Sequence, residues 1–178
     1  FFNPKAGIFY AIDEQNSAYA SVAVGHREPT RNNYKDAELT ANPTFERLIN
    51  YELGYSYKHA TYAFGANAYY MDYKNQLVLT GKVNEIGEAL TSNTPESYRM
   101  GIELTAGVQI TPWLQWNGNL TVSENIIKKY TEYVDLYDEN WDWTSQVATY
   151  LGDTPISFSP NLIANSVFSI NHNGWSAA

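Results

Sequence analysis

The chain is 178 residues long, enough for one sizeable domain, and carries a net charge of −8 with only eleven lysines and arginines. That balance excludes a nucleic-acid footprint, which needs clustered positive charge. Cysteine is absent, which excludes disulfides and thiol chemistry, and no apolar run reaches the roughly 20 residues of a transmembrane helix.

Two-residue periodicity predicts strands over 4–12, 17–27, 45–58, 61–80, 97–110, 113–125 and 156–170, with another starting at 175. The segment from Glu46 to Lys58 is the clearest. Ile49, Tyr51, Leu53, Tyr55 and Tyr57 share one face, and Asn50, Glu52, Gly54 and Ser56 the other. In 61–80, Tyr62, Phe64, Ala66, Ala68 and Tyr70 alternate with Ala63, Gly65, Asn67 and Tyr69, and Tyr69-Tyr70-Met71 invites a bulge. Tyr98, Met100, Ile102, Leu104, Ala106, Val108 and Ile110 then oppose Ser97, Arg99, Gly101, Glu103, Thr105, Gly107 and Gln109. Leu114, Trp116, Leu120 and Val122 do the same against Gln115, Asn117, Asn119, Thr121 and Ser123. Pro160 removes a ladder donor, so the last full strand is expected to begin near Asn161, with 156–159 as an extended lead-in. These runs suit the about 9–11 tilted residues that cross a bilayer better than the about 5–6 of an ordinary strand.

The connections alternate between short and long. Asp13-Glu14-Gln15-Asn16, His59-Ala60, Thr111-Pro112 and Asn171 to Gly174 are short; Glu28 to Thr44, Gly81 to Glu96 and Ile126 to Pro155 are long. Short turns at one end and long loops at the other are the plan of an outer-membrane barrel. The expected fold is all-β: an antiparallel up-and-down meander forming part of a transmembrane β-barrel, with short periplasmic turns and long extracellular loops. Tyr55, Tyr57, Tyr62 and Phe64 flank one short turn, and Trp113 and Trp116 follow another, as in an interfacial aromatic girdle. A soluble sheet with aromatic cross-strand pairs is the bland alternative.

Four stretches resemble the TonB-dependent outer-membrane receptors. Ala18 to Pro29 is similar to that family's barrel strand ending in an Arg-x-Pro signature, here Arg27-Glu28-Pro29. Thr44 to Tyr55 resembles the following strand, with Glu46 ahead of Tyr51-Glu52-Leu53-Gly54. Ala68 to Leu77 and Tyr98 to Leu104 are similar to later strands, and the four stand in the right order and spacing. His26 departs from the pattern, since an aromatic or aliphatic residue is more usual there. The resemblance implies that residues 1–178 are a partial barrel domain of such a receptor, without its plug domain and closing strands. Phe1-Phe2-Asn3-Pro4 does not read as a signal peptide, lacking a charged region followed by an apolar one. Trp175 to Ala178 reads as the start of a strand, as expected of a piece of a longer protein.

It further implies an energy-coupled importer in the outer membrane of a Gram-negative bacterium. Its partners would be membrane lipid, its own plug, the TonB complex through that plug, and a scarce solute: an iron–siderophore, haem, cobalamin or an oligosaccharide. The rivals are a passive porin-type barrel and a soluble carbohydrate-binding β-sandwich. Solute contact is expected in the segment from Ile126 to Pro155, where Tyr130, Tyr133, Tyr137, Trp141 and Trp143 offer stacking faces and Asp138 a carboxylate. Arg27 is expected to pair with Glu46 at the rim; Glu52, Arg99 and Glu103, mid-strand on the polar face, are candidates for holding the plug. No catalytic residue, metal site or cofactor is expected. The three histidines, His26, His59 and His172, lie apart, and no nucleophile elbow, phosphate loop or dinucleotide fingerprint occurs.

Overall fold

The computed structural model describes residues 1–35, 42–83 and 89–178. Among these residues the strands are β1 (Lys5–Ala11), β2 (Asn16–Arg27), β3 (Glu46–Lys58), β4 (Tyr62–Val83), β5 (Ala89–Thr111), β6 (Leu114–Tyr137), β7 (Trp143–Pro155), β8 (Leu162–His172) and β9 (Trp175–Ala177). The helix α1 (Arg31–Lys35) follows β2. All nine strands join one antiparallel sheet in the order β1-β2-β3-β4-β5-β6-β8-β9, with β7 paired to the outer half of β6. The sheet is an open arc of barrel wall. No described strand forms a second layer over its apolar face, as a sandwich would require.

The two faces follow from register. Leu53 lies opposite Ala20 and Ala68, Ala68 opposite Ile102, Ile102 opposite Val122, and Val122 opposite Leu162. Leu53, Ile102, Val122 and Leu162 are each more than half exposed. Each such side chain is worth roughly 1.5–3 kcal/mol on leaving water, so this face needs an apolar cover that the described residues do not supply. The opposite face is polar: Glu52, Asn67, Glu103, Thr121, Asn119 and Asn165 point to it. An open trough of about 430 Å³, lined by Ser56, Lys58, Gly65, Thr105, Asn117 and Asn165, marks it as the concave side.

Aromatic rings bound the apolar band at both ends. At the tight-turn end Tyr62 stacks near Tyr57 (5.6 Å) and His59 (4.6 Å), and Trp113 meets His172 edge-on at 6.1 Å. At the other end Tyr51, Tyr70 and Tyr98 form a ladder across three strands, with centroids 6.5 and 6.0 Å apart. Beyond that ladder the convex face turns charged, with Arg47, Lys74, Glu96 and Lys128. Such a succession matches a bilayer-spanning band between two interfaces.

Inside the sheet, two glycines make room for tyrosines. A Cβ on Gly54 would collide with the Tyr19 ring, its cross-strand partner. A Cβ on Gly101 would lie 2.7 Å from the Tyr69 hydroxyl and from the Val122 carbonyl. At the first tight turn the Asp13 carboxylate accepts the Gln15 and Asn16 backbone N–H groups at 2.8 and 2.7 Å, and the Asn16 side-chain amide at 2.8 Å. Those donors, the Asn16 side chain first, hold the Asp13 carboxyl below its usual range.

Three expectations change. The segment from Ile126 to Pro155 is a β-hairpin, since β6 continues to Tyr137 and β7 returns from Trp143. Likewise β4 runs to Val83 and β5 starts at Ala89, so most of the link expected over 81–96 is strand. Residues 84–88, and residues 36–41 of the link after β2, lie outside the described residues. The bulge invited at Tyr69-Tyr70-Met71 is absent, for these residues pair in regular register with Gly101, Met100 and Arg99. The irregularity lies further out, between Leu79 and Val83. A strand that has left the bilayer no longer needs one apolar face, so its alternation fades while its backbone pairing continues.

Removed from its parent, this sheet leaves the β1 edge unpaired and its apolar face in water. Residues 1–178 alone are expected to associate in plain buffer and to become monodisperse only in detergent, as read by light scattering after size-exclusion chromatography. A monodisperse monomer in plain buffer would contradict the two-faced assignment.

Candidate functional site

The hairpin of β6 and β7 continues the sheet outward, beyond the Tyr51–Tyr70–Tyr98 ladder. The turn is built by Asp138, whose carboxylate accepts the backbone N–H groups of Asn140 (2.8 Å) and Asp142 (2.9 Å). Its own N–H donates to the Asp142 carbonyl at 2.9 Å. Asp138 is therefore engaged in closing the turn. Tyr137 and Trp143 face each other across the ladder, and Trp141 stands at the tip in the left-handed region (φ 64°), 84% exposed. With about 3.3 Å per residue, the tip lies some 23 Å beyond Tyr130. Tyr130 belongs to the base, where it packs against the buried cluster of Val78, Ile127 and Ile156. Tyr133 lies between them on β6, and its side chain is outside those described. The structure thus brings Tyr137, Trp141 and Trp143 together and sets Tyr130 apart.

The rim pair is a bidentate bridge. Arg27 and Glu46 are direct register partners; Arg27 Nη2 donates to Glu46 Oε1 at 2.9 Å and Nε lies 2.7 Å from Oε2. Glu46 Oε1 also accepts the Leu77 backbone N–H. The arginine side chain is 65% exposed and the carboxylate 9%, so Glu46 is the partner that depends on the bridge.

On the concave face, Glu103 accepts from the Asn67 amide at 3.4 Å, and Asn67 Oδ1 accepts the Tyr19 hydroxyl at 2.9 Å. Glu52 accepts from Asn50 at 2.7 Å, leaving Asn50 Oδ1 buried without a partner. Arg99 is committed elsewhere: its Nη1 donates to Ser159 Oγ at 2.8 Å and to Asn125 Oδ1 at 3.5 Å. Among the described residues no three histidines and carboxylates converge as metal ligands.

Ser159 belongs to a segment that the sequence reading treats as an extended lead-in. Three residues of β6 separate Val122 from Ile126, whereas six separate their partners Leu162 and Pro155. Residues 156–161 therefore bow away from the ladder instead of extending along it. Pro160 marks the interruption in sequence, but nothing in the periodicity shows the direction of the bow.

The family model described as "TonB dependent receptor-like, beta-barrel" matches residues 1–178. The pesticin receptor of Yersinia enterocolitica (serotype O:8, biotype 1B) is 31% identical over 134 residues, covering 74% of this chain and 19% of that protein. The chain therefore spans about a fifth of the curated relatives it matches. Among solved structures, the siderophore receptor PirA of Acinetobacter baumannii matches with a TM-score of 0.63 at 18% identity, over 95% of this chain and 26% of that one. The ferric yersiniabactin uptake receptor FyuA of Yersinia pestis gives 0.61 at 21% identity, over 97% of this chain and 23% of that one. At such identities the structural likeness concerns the fold.

The rim bridge makes an asymmetric prediction. Glu46→Ala leaves the Leu77 N–H without its acceptor and is expected to destabilise the parent barrel by about 1–3 kcal/mol. Arg27→Ala, which strips the ion partner from a carboxylate only 9% exposed, is expected to cost more, about 3 kcal/mol or above. Denaturant titration of the folded band in detergent would check the order, and equal losses would contradict it.

Proposed function

This chain belongs to the TonB-dependent receptor β-barrel family, and we propose that its parent protein is an energy-coupled importer of a scarce solute in a Gram-negative outer membrane. The observation that carries the reading is the two-faced sheet with its hairpin. An apolar convex band between aromatic girdles suits lipid, and a polar concave wall suits a lumen filled by a plug and water. The aromatic hairpin reaches well past the band on the side away from the tight turns, where an external solute first arrives.

The solute class proposed is a ferric chelate. The pesticin receptor, PirA and FyuA are similar to this chain, and the names of the last two refer to a siderophore and to ferric yersiniabactin. Trp141, Trp143 and Tyr137 supply stacking surface at the hairpin tip; exposed aromatics of this kind dominate binding energy when a ligand desolvates them. Glu52 and Glu103, held in place by asparagines on the concave wall, would accept hydrogen bonds from the plug. The TonB complex would act through that plug, and the barrel wall would stay passive. A porin-type barrel shares the wall but needs neither plug nor solute-gripping hairpin.

The test uses the full-length parent receptor and a panel of iron-55 chelates: ferric yersiniabactin, one catecholate and one hydroxamate. Wild-type receptor is expected to bind one of them and to accumulate it only in energised cells. Trp141→Ala combined with Trp143→Ala should weaken that binding about tenfold or more with the barrel still folded. Unchanged binding by the double variant would remove the hairpin from the site, and wild-type binding of none would contradict the chelate assignment.

A further inference from the structure

We infer that residues 156–161 form a second solute-contacting element at the outer mouth of the lumen, with Phe158 as the contacting ring and Arg99 as the residue that positions it. This deepens the importer reading and rests on it.

The direction of the bow is fixed by its anchors. Arg99 Nη1 donates to Ser159 Oγ at 2.8 Å, Asn125 Nδ2 reaches the Ser159 carbonyl at 3.5 Å, and Ser123 Oγ reaches the Pro160 carbonyl at 3.3 Å. Arg99, Ser123 and Asn125 all lie on the polar, concave face, since Arg99 and Asn125 are register partners and Ser123 pairs with Gly101. The segment therefore lies over the lumen side of β5 and β6. Its first residue is fixed too: Ile156 is 7% exposed among Val78, Ile127 and Tyr130, and its N–H donates to the Asn125 carbonyl at 2.9 Å. Lys129, in the left-handed region at φ 54°, interrupts the β6 alternation just before Tyr130 and lets that ring join Ile127 on the same side.

Phe158 sits on this fixed support in an unfavourable state. Its φ is 57°, a region that bulky side chains rarely adopt, and its ring is 91% exposed. Exposed apolar rings on the convex face meet lipid in the parent. The segment that carries Phe158 is anchored on the other face, by Arg99, Ser123 and Asn125, and the sheet leaves the ring uncovered. Backbone strain held in place by several hydrogen bonds, presenting an apolar ring to water, is the pattern expected of a contact completed by another molecule.

The occupant inferred is the solute. The polar trough of Ser56, Lys58, Thr105 and Asn117 lies toward the tight turns, whereas Phe158 lies toward the opposite end, beside the base of the hairpin. Tyr130 links the two, packing on Ile156 below and continuing along β6 toward Tyr137 and Trp141. A chelate passing from the tip into the lumen meets Phe158 next. The ring suits an aromatic or other apolar surface of that solute. Arg99, with a guanidinium already donating to Ser159 and Asn125, acts by orienting the segment.

The experiment uses the full-length receptor and the chelate that wild type binds from the panel above. Phe158→Ala is expected to weaken binding about tenfold, and Phe158→Tyr, which keeps the ring, to bind within about twofold of wild type. Arg99→Lys should weaken binding severalfold alone and add little on top of Phe158→Ala, because the two act through one contact. A Phe158→Cys variant should react with a membrane-impermeant maleimide added to intact cells, and bound chelate should slow that reaction. Failure to label would mean that the plug covers the ring, and would overturn the inference while leaving importer function intact. Unchanged binding in Phe158→Ala beside a wild type that binds would overturn it equally. Wild type that binds no chelate strikes the importer reading itself and takes this inference with it.

Discussion

The structure depends on one constraint: two-residue alternation held in register across neighbouring strands. A slip of one residue in any pair would carry a whole set of apolar side chains to the polar face. The row through Leu53, Ala68, Ile102, Val122 and Leu162 and the row through Glu52, Tyr69, Gly101 and Ser123 are adjacent, yet they belong to opposite faces of the sheet. Backbone pairing makes this possible without helices. Each strand satisfies its neighbour's N–H and C=O groups, so a membrane can surround the wall provided the arc closes in the parent.

Features that break the alternation lie outside the band it defines. Asn75, Lys129, Trp141 and Phe158 carry left-handed backbone toward the end away from the tight turns, and Asn173 carries it within the tight turn between β8 and β9. There the strands leave lipid, and the reason for a uniform face ends with it. Freed from that requirement, β6 and β7 can place Tyr130 inward at the base and Trp141 at the tip, and the 156–161 segment can turn over the lumen. The wall is regular where it must be apolar, and irregular where it can meet a solute.

This division explains what was legible in the sequence. Strands inside the band were readable because lipid on one side and water on the other impose a period of two. The Arg27–Glu46 bridge was legible too, since both residues end strands that a long link joins. Outside the band the same method failed in one direction: Gly81 to Glu96 and Ile126 to Pro155 read as loops, although most of their described residues go on pairing. Asp138 looked like a ligand carboxylate because sequence gives composition and hides the turn it closes. Arg99 looked like a plug contact because parity places it on the concave face but does not reveal Ser159, sixty residues away, within hydrogen-bond reach. Phe158 could not be singled out, because its importance lies in the offset between two strand pairings.

The central claim, that the convex face meets lipid and the concave face a lumen, is tested most directly by spin-label accessibility along one strand. Single cysteines at positions 50–53 and 55–57, introduced into a cysteine-free full-length receptor in lipid vesicles, would carry nitroxides whose relaxation by oxygen and by a water-soluble nickel chelate is compared. The account predicts a two-residue period: 51, 53, 55 and 57 favour oxygen, and 50, 52 and 56 are less accessible to it. Uniform accessibility along the strand, or nickel contact at the odd positions, would contradict it.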